Sequence, residues 1–382
     1  MKNQYLALPG PTAVCPEALQ AMSEPMFNHR GPKFQELYHR VINNCRELFQ
    51  TKNDLFVLTG SGTGAMESAI VNTISPGTEV LAIINGAFGQ RFADIARVFG
   101  ANVHEFHGEW GHGLDLEQLE LVLKQETFKA ILLVHCETST GVLNQLEEIA
   151  VLARRYQPEV LFLVDAISSL GAAPLKSDDW DLDVVVTGSQ KALAAPPGVA
   201  MLSFSPRAWR AYEKSTSPKY YWDMKKNKDF MDKGQTPWTP AISQFFALEK
   251  ASKRFVDEGI ENSVKRHQRM ARMTRAGVKA LGLELLCPDN VAATTVTAIH
   301  CPVGFNVGQI RTILLEKYGL DVAAGQGKLV NSIFRIGHLG IADEQTVVAY
   351  LYGLEQGLKD LGMSFSLGTA ISAALGVLES KK

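Results

Sequence analysis

Residues 55–67 read Leu-Phe-Val-Leu-Thr-Gly-Ser-Gly-Thr-Gly-Ala-Met-Glu, an apolar run followed by a glycine-rich turn and the start of a helical pattern. Small residues let backbone amides approach an anion, and a helix begins with the positive end of its dipole. The turn therefore fits either a phosphate loop or a simple tight turn. A Walker loop is excluded because no Gly-Lys-[Ser/Thr] follows, and the Gly-x-Gly-x-Gly spacing disfavours a dinucleotide site. The next predicted strand ends at Asn85, whereas a dinucleotide site needs an acidic residue there for the ribose hydroxyls. The loop therefore suits a single phosphate group rather than a pyrophosphate.

Apolar runs alternate with helical patterns from this stretch to about residue 204. The apolar runs are 55–58, 80–84, 103–106, 130–134, 160–164, 184–186 and 199–204, and the helical segments include 64–74, 88–99, 116–124 and 146–156. Several runs are apolar on both faces, which is typical of strands in a covered parallel sheet. The pattern predicts an α/β domain with a mostly parallel, seven-stranded sheet.

The pattern changes after Pro240. A long helical stretch at 242–281 leads to strand-like 293–299, helical 307–317, strand-like 333–336 and helical 343–361. We therefore predict a large α/β domain over 16–255 and a smaller α+β domain over 256–382. The N-terminal arm, 1–15, shows no strand partner of its own, and we expect it to pack near the domain junction.

Composition excludes several classes of function. The 382 residues include 38 Lys and Arg against 40 Asp and Glu, a formal net charge of −2 that favours neither nucleic acid nor an anionic membrane. Five cysteines without a CxxC pair indicate reduced thiols in a cytoplasmic protein. The start has no signal-peptide core, and the end lacks a Ser-Lys-Leu address. Residues 361–378 carry no charge, but their spacing predicts a packed helix rather than a membrane span.

Two ionisable residues follow predicted strands in otherwise apolar or small surroundings. Asp165 ends the run 160–164, and Lys191 follows the run 184–186 within Thr-Gly-Ser-Gln-Lys. Ligands of an open α/β sheet lie outside the carboxyl ends of its strands. The two residues could form a buried ion pair, or both could face a cofactor, with Lys191 as a Schiff-base amine and Asp165 beside a pyridine nitrogen. A phosphate loop on the same edge of the sheet favours the second interpretation. A protein holds pyridoxal 5'-phosphate at three points: its phosphate, its pyridine nitrogen and the carbonyl that reacts with a lysine amine.

The chain resembles the class V pyridoxal-phosphate aminotransferases of fold type I, in particular the alanine–glyoxylate, serine–glyoxylate and serine–pyruvate group. The resemblance covers nearly the whole sequence and rests on ordered motifs: Pro9-Gly10-Pro11-Thr12, Gly60-Ser61-Gly62-Thr63-Gly64, Gly86-Ala87-Phe88-Gly89-Gln90-Arg91, Glu137-Thr138-Ser139-Thr140-Gly141, Val164-Asp165-Ala166, Gly188-Ser189-Gln190-Lys191 and Phe334-Arg335-Ile336-Gly337-His338. Each motif alone would be weak, but their common order is specific.

The resemblance implies a role for each matching residue. Lys191 resembles the lysine that forms the aldimine and then moves the substrate proton, and Asp165 resembles the partner of the pyridine nitrogen. The implied contacts are Ser61, Gly62, Thr63 and Gln190 for the phosphate, Phe88 stacked on the ring where many relatives carry Trp, Thr138 near the ring hydroxyl, Ser169 as a weaker candidate, and Thr239 reaching the phosphate of a neighbouring subunit in a homodimer. Arg335, an isolated charge in an apolar strand, resembles the arginine that binds the substrate carboxylate, with Gly10 nearby.

The function implied is a ping-pong transamination in which alanine or serine donates an amino group to glyoxylate or pyruvate. One alternative is a lyase like the cysteine desulfurases, which requires a mobile nucleophilic cysteine. Another is a non-catalytic subunit of a redox complex, since some relatives have been named as soluble-hydrogenase subunits. We expect no metal at His104, His107 and His112, because their side chains should diverge between a strand and a surface loop.

Overall fold

The computed structural model describes residues 4–379, and a seven-stranded sheet forms its larger part. The strands of the chain are β1 (Tyr5–Ala7), β2 (Asp54–Thr59), β3 (Glu79–Ile84), β4 (Asn102–His107), β5 (Ala130–Val134), β6 (Cys136–Glu137), β7 (Val142–Leu143), β8 (Leu161–Asp165), β9 (Val184–Gly188), β10 (Val199–Phe204), β11 (Val296–His300), β12 (Leu320–Ala324) and β13 (Ile333–Gly337). The large sheet has the order β2-β10-β9-β8-β5-β3-β4. Only β10 runs antiparallel to its neighbours, so the predicted mostly parallel sheet of fold type I is confirmed.

Helices pack against the strands of this sheet and alternate with strands in the second part of the chain. They are α1 (Pro16–Ala21), α2 (Pro32–Phe49), α3 (Gly62–Thr73), α4 (Ala87–Val98), α5 (Leu116–Gln125), α6 (Leu146–Tyr156), α7 (Pro206–Tyr212), α8 (Met224–Met231), α9 (Ile242–Glu258), α10 (Ile260–Ala280), α11 (Val307–Tyr318), α12 (Glu344–Asp360) and α13 (Thr369–Glu379). The inner strands β5, β8, β9 and β10 are buried along their whole length, which explains their uninterrupted apolar sequences. The edge strand β4 is largely exposed and correspondingly polar.

A second sheet of four strands, in the order β1-β12-β13-β11, has its own hydrophobic core. The expectation that the N-terminal arm lacks a strand partner is wrong, because β1 pairs in parallel with β12, Tyr5 opposite Leu320. Strand β12 was not identified from the sequence at all. The long helical stretch at 242–281 is divided into α9 and α10 by Gly259, whose φ of +83° belongs to the left-handed region. Within residues 4–379 no helix is long and apolar enough to cross a bilayer.

Candidate active site

A cavity of about 140 Å³ opens at the carboxyl ends of β2, β8 and β9. Its lining is Ser61, Gly62, Thr63, Phe88, Arg91, Cys136, Thr138, Asp165, Ile167, Ser168, Gln190 and Lys191. The structure thus brings together, from five separate segments of the chain, every residue that we expected to contact the cofactor within one subunit except the weaker candidate Ser169. Ser168 lies in the lining where Ser169 had been considered, and the Ser169 hydroxyl is buried without a hydrogen-bond partner.

The glycine-rich turn presents the start of α3 to this cavity. Ser61 stands at the N-cap position and its side chain makes no capping hydrogen bond, so the first backbone N–H groups of α3 are not satisfied by a side-chain cap. Such an uncapped helix start, with hydroxyls at Ser61 and Thr63, is suited to a dianionic phosphate. The turn fits the phosphate of pyridoxal phosphate on these grounds.

Neighbouring side chains pack directly against the glycines of the turn. A Cβ atom at Gly60 or Gly64 would lie 2.9 Å from the indole of Trp222, and one at Gly62 would lie 2.4 Å from Cδ1 of Ile167. Trp222 is fixed in turn by a hydrogen bond of 3.0 Å from its indole N–H to Glu67 in α3. The glycines are therefore required for close packing as well as for access to an anion.

Asp165 is fully buried at the end of β8 and faces the cavity. Its Oδ1 accepts a hydrogen bond of 2.8 Å from the backbone N–H of Ile167. Burial raises the pKa of Asp165 to about 7, although the bond from Ile167 and the charge of Lys191 act in the opposite direction. A cationic partner would stabilise the ionised form of this buried carboxylate, and a protonated pyridine nitrogen is such a partner.

Lys191 projects into the cavity from the turn after β9. Its Nζ donates a hydrogen bond of 2.6 Å to the carbonyl of Pro9 in the N-terminal arm. Desolvation lowers the pKa of Lys191 to about 8, while attraction to Asp165 opposes the shift. Gly10 (φ +128°) leaves no room for a side chain, since a Cβ atom there would lie 2.4 Å from Nζ. The lysine therefore has the lowered pKa that a Schiff-base amine requires.

Arg335 lies in the middle of β13 and is buried. Its Nε donates to the carbonyl of Ala324 at 2.9 Å, and its Nη1 donates to the carbonyl of Thr138 at 2.7 Å. Burial lowers the pKa of Arg335 to about 10, and the charge of Glu137 opposes this change. The guanidinium is thus hydrogen-bonded to Thr138, which lines the cavity. Its positive charge is close enough to Lys191 to lower the pKa of that lysine further.

Thr239 does not lie in this cavity. It is exposed and lines a separate cleft with Tyr221 and Trp238. Its predicted contact would be with another subunit, so the single chain leaves that role a prediction.

Three residues of the site had no role in the sequence interpretation, although two of them belong to quoted motifs. Arg91 lines the cavity, donates to the Thr63 hydroxyl at 3.3 Å and places its guanidinium 4.8 Å from the Phe88 ring centroid. Glu137 is a fully buried carboxylate behind the cavity wall, and Trp222 contacts the glycine turn. A buried acid inside an apolar strand end was the signal that could have identified Glu137, whereas nothing in the sequence connects Trp222 with residues 60–64.

The histidines of the edge strand and of the loop after it pair with different carboxylates. His104 contacts Glu79 and Glu126, His107 contacts Glu105, and His112 lies 3.7 Å from Glu109. In the part of the chain that the structure describes, no group of His, Cys, Asp or Glu side chains is arranged to hold a metal ion.

An uncapped helix start for a phosphate, a buried aspartate for a pyridine nitrogen and a lysine of lowered pKa share one cavity of a mostly parallel sheet. This combination defines a pyridoxal 5'-phosphate enzyme of fold type I. The chain belongs to the family aminotransferase class-V, whose model matches residues 4–344.

Curated relatives cover almost the full chain. An uncharacterized aminotransferase of Methanocaldococcus jannaschii is 42% identical over 94% of both chains. A protein named soluble hydrogenase, small subunit, of a Synechococcus species is 38% identical over 98% of both chains. A serine–glyoxylate aminotransferase of Arabidopsis thaliana is 34% identical over 99% of this chain and 96% of its own.

Solved structures share the whole architecture. The ureidoglycine–glyoxylate aminotransferase of Bacillus subtilis superposes with a TM-score of 0.93 at 31% identity and covers 100% of this chain and 99% of its own. The fold and the family are therefore those of an aminotransferase whose cofactor is pyridoxal 5'-phosphate.

Proposed function

We propose that this protein transfers the amino group of a small amino acid, alanine or serine, to glyoxylate or pyruvate in a ping-pong reaction. The observation that carries the proposal is the single buried arginine of β13, Arg335, attached to the wall of the cofactor cavity through the carbonyl of Thr138. The names of the Arabidopsis and Bacillus relatives, both glyoxylate aminotransferases, support glyoxylate as the acceptor.

The bound cofactor supplies a carbonyl that links to amines and a ring that withdraws electrons from the substrate Cα. The protein's part is to place groups around it. Lys191 would hold the cofactor through its amine, and as a free amine it would move the proton at the substrate Cα. Its lowered pKa keeps a useful fraction of the amine neutral near pH 8, and a neutral amine is the form that accepts this proton.

Asp165 would hold the cofactor at its pyridine nitrogen and keep that nitrogen protonated. Among residues 4–379, the side-chain carboxylate of Asp165 accepts one hydrogen bond, from the backbone N–H of Ile167, so it has acceptor sites for a second donor. A pyridinium in front of the carboxylate would favour the ionised form of Asp165 and so reverse the effect of burial on its pKa. Ser61, Gly62, Thr63 and Gln190 bind the phosphate, Phe88 covers the ring, and Thr138 lies beside it.

Arg335 binds the substrate carboxylate, and Gly10, which lies against Lys191, borders the same substrate site. Two carbonyl oxygens fix the guanidinium through Nε and Nη1, so little side-chain entropy is lost when a substrate binds. The other arginine at the cavity, Arg91, points to Thr63 on the phosphate side. Among residues 4–379, Arg335 is the one buried arginine, which favours a monocarboxylate amino acid. Arg311 lies close enough to lower the pKa of Arg335, and its Nε donates a hydrogen bond to the carbonyl of Val322.

The lyase alternative has less support. A desulfurase needs a thiolate near the substrate, but burial raises the pKa of all five cysteines, to about 12 at Cys45, Cys136 and Cys287. The redox-subunit alternative rests on the name of the Synechococcus relative alone. The free thiols are consistent with a cytoplasmic protein, and we place the enzyme there as a homodimer.

The test is an amino-donor and acceptor panel with the purified enzyme. Alanine, serine, aspartate and 3-hydroxykynurenine are each paired with glyoxylate and pyruvate, and product formation is followed by mass spectrometry. We expect the highest kcat/KM with alanine or serine and glyoxylate. Arg335→Lys should raise KM for the amino donor by about tenfold or more, because a point charge replaces a bidentate fork. A preference for aspartate, or an unchanged KM in Arg335→Lys, would overturn the proposal.

A further inference from the structure

Residues 137–139 connect two parts of the active site that are distant in sequence. The side chain of Glu137 contacts the start of α4, and the carbonyl of Thr138 accepts the hydrogen bond from Arg335. We call these three residues the bridging segment. It begins at the last residue of β6, lies in the connection between β6 and β7, and is buried throughout.

The carboxylate of Glu137 is surrounded only by donors. Oε2 accepts hydrogen bonds of 3.0 Å from the backbone N–H groups of Phe88 and Gly89. Oε1 accepts from the backbone N–H of Ser139 at 3.1 Å and from the Ser139 hydroxyl. An ionised carboxylate has acceptor sites for all of these donors and offers no hydrogen of its own. Burial raises the pKa of Glu137, and its hydrogen bonds with Ser139, Gly89 and Phe88 act in the opposite direction. The donors around both oxygens therefore favour the charged form of a side chain that is removed from water.

These contacts replace the cap that α4 lacks. The N-cap residue of α4 is Gly86, which has no side chain to accept hydrogen bonds from the first turn. The Ser139 hydroxyl accepts from Ala87 N–H at 2.9 Å, and Glu137 takes the next two N–H groups. A Cβ atom at Gly86 would lie 2.3 Å from Cγ and Cδ of Glu137, so a glycine is required for this approach. The bridging segment thus fixes the backbone of Phe88, which lines the cofactor cavity.

The same segment fixes Arg335. The carbonyl of Thr138 accepts from Nη1 at 2.7 Å and lies between Glu137 and Ser139, whose own positions are set by their contacts with α4. The negative charge of Glu137 is also the largest favourable electrostatic influence on the buried guanidinium. A movement of the Glu137 side chain would therefore affect both Phe88 and Arg335.

We propose that ionised Glu137 is a positioning residue of the active site, which sets Phe88 against the cofactor ring and, through the carbonyl of Thr138, sets Arg335 for the substrate carboxylate. The first part depends only on the cofactor. The second part rests on the proposed function, because it assumes that Arg335 binds a carboxylate.

The test is Glu137→Gln, which preserves size but places an NH₂ group against backbone N–H donors whichever way the amide turns. We expect the dissociation constant of pyridoxal phosphate, titrated into the apoprotein, to rise about tenfold or more, as the loss of hydrogen bonds to a charged group implies. The circular dichroism of the cofactor band should weaken, since the ring loses a fixed neighbour. KM for the amino donor should rise by a larger factor than kcat falls.

Glu355→Gln is the matched control. Glu355 is equally buried and accepts from backbone N–H groups of Gly368 and Ala370 near the start of α13, in the second core and outside the cofactor cavity. We expect it to lower Tm without changing cofactor affinity, the dichroism of the cofactor band or KM. If the two variants changed the cofactor dissociation constant equally, the role of Glu137 would be structural only and the proposal would be overturned.

Two further variants separate the parts of the proposal. In a Phe88→Ala background, Glu137→Gln should produce no additional loss of cofactor affinity, and an undiminished effect there would refute the route through Phe88. If Glu137→Gln does not fold, Ser139→Ala, which removes one donor to Glu137 and the acceptor of Ala87 N–H, should shift cofactor affinity in the same direction by a smaller factor. No shift would again contradict the proposal. An unchanged KM in Arg335→Lys would remove the carboxylate role and leave the cofactor result intact.

Discussion

At the residue scale, the site is determined by two buried ionisable groups whose pKa values move toward each other. Burial raises the pKa of Asp165 to about 7 and lowers that of Lys191 to about 8. Burial makes the charged form of each group unfavourable, and the attraction between the two opposite charges partly offsets this desolvation cost. A cofactor with a cationic nitrogen would stabilise the charged form of Asp165, and a cofactor with a carbonyl would react with the neutral amine of Lys191 that the lowered pKa favours.

The lowered pKa of Lys191 predicts how the rate of cofactor binding depends on pH. Only the neutral amine attacks a carbonyl, and the lowered pKa makes half of the amine neutral near pH 8 rather than near the ordinary lysine value of 10.5. The rate at which apoprotein develops the visible absorption band with pyridoxal phosphate should therefore rise between pH 6 and pH 9, with a midpoint near 8. Stopped-flow absorbance measures this rate.

The variant Asp165→Asn tests how the charge of Asp165 affects the pKa of Lys191. The Asp165 charge raises the pKa of Lys191, so its removal should move the midpoint to lower pH. Lys191→Ala is the control and should show no band that borohydride bleaches. A midpoint at or above 10 in the unaltered protein would contradict the desolvation of Lys191.

At the element scale, the glycine turn before α3 combines two requirements, access for a phosphate and close packing against Trp222 and Ile167. The sequence made the first requirement visible, because glycines after an apolar run are typical of anion-binding turns. The second requirement depends on residues about 105 to 160 positions further along the chain, so no local pattern indicates it.

Gly62→Ala tests this packing. The added Cβ would lie 2.4 Å from Ile167 Cδ1, so the turn or Ile167 must move, and Ile167 also donates the backbone hydrogen bond to Asp165. We expect the dissociation constant of the cofactor, followed by absorbance titration, to rise about tenfold. Gly376→Ala in α13 is the control, because its Cβ would meet nothing within 4 Å. It should stabilise the protein by about 0.5–1 kcal/mol and leave cofactor affinity unchanged. Equal affinities in the two variants would show that the turn tolerates a side chain.

The elements that the sequence predicted correctly are those with a local signal. Strands β5 and β10 appear at their predicted bounds because uninterrupted apolar runs are buried on both faces. Strand β1 was missed because it has only three residues, and β12 because it is only partly buried and includes Asp321, so it lacks a continuous apolar run. Their pairing joins residues more than 300 positions apart, and such a partner cannot be found from periodicity.

At the scale of the whole molecule, the cofactor cavity lies where separate parts of the chain meet. The arm supplies the carbonyl of Pro9 to Lys191, the large sheet supplies the phosphate turn and Asp165, and the four-stranded sheet supplies Arg335. The domain boundary between 255 and 256, which falls inside α9, remains a prediction. Thr239, an expected cofactor contact, lies outside the cavity and is exposed in the single chain.

A homodimer in which Thr239 reaches the neighbour's phosphate predicts an asymmetry between two kinds of heterodimer. Thr239→Glu should repel that phosphate, and Lys191→Ala should inactivate the chain that carries it. With one substitution on each chain, one site of the heterodimer keeps both Lys191 and the neighbour's Thr239, so about half of the unaltered activity should remain. With both substitutions on one chain, each site is defective and activity should be lost.

The measurement uses two chains with different affinity tags, co-expressed and purified in tandem so that only heterodimers are assayed. The two heterodimers have the same composition of substitutions and differ only in their arrangement, so a general loss of stability affects both alike. Equal activity in the two arrangements would mean that each site is completed within one chain. Elution of the unaltered protein as a monomer in light scattering would remove the dimer itself, and Thr239 would then have no cofactor to contact, because its cleft is separate from the cavity of its own chain.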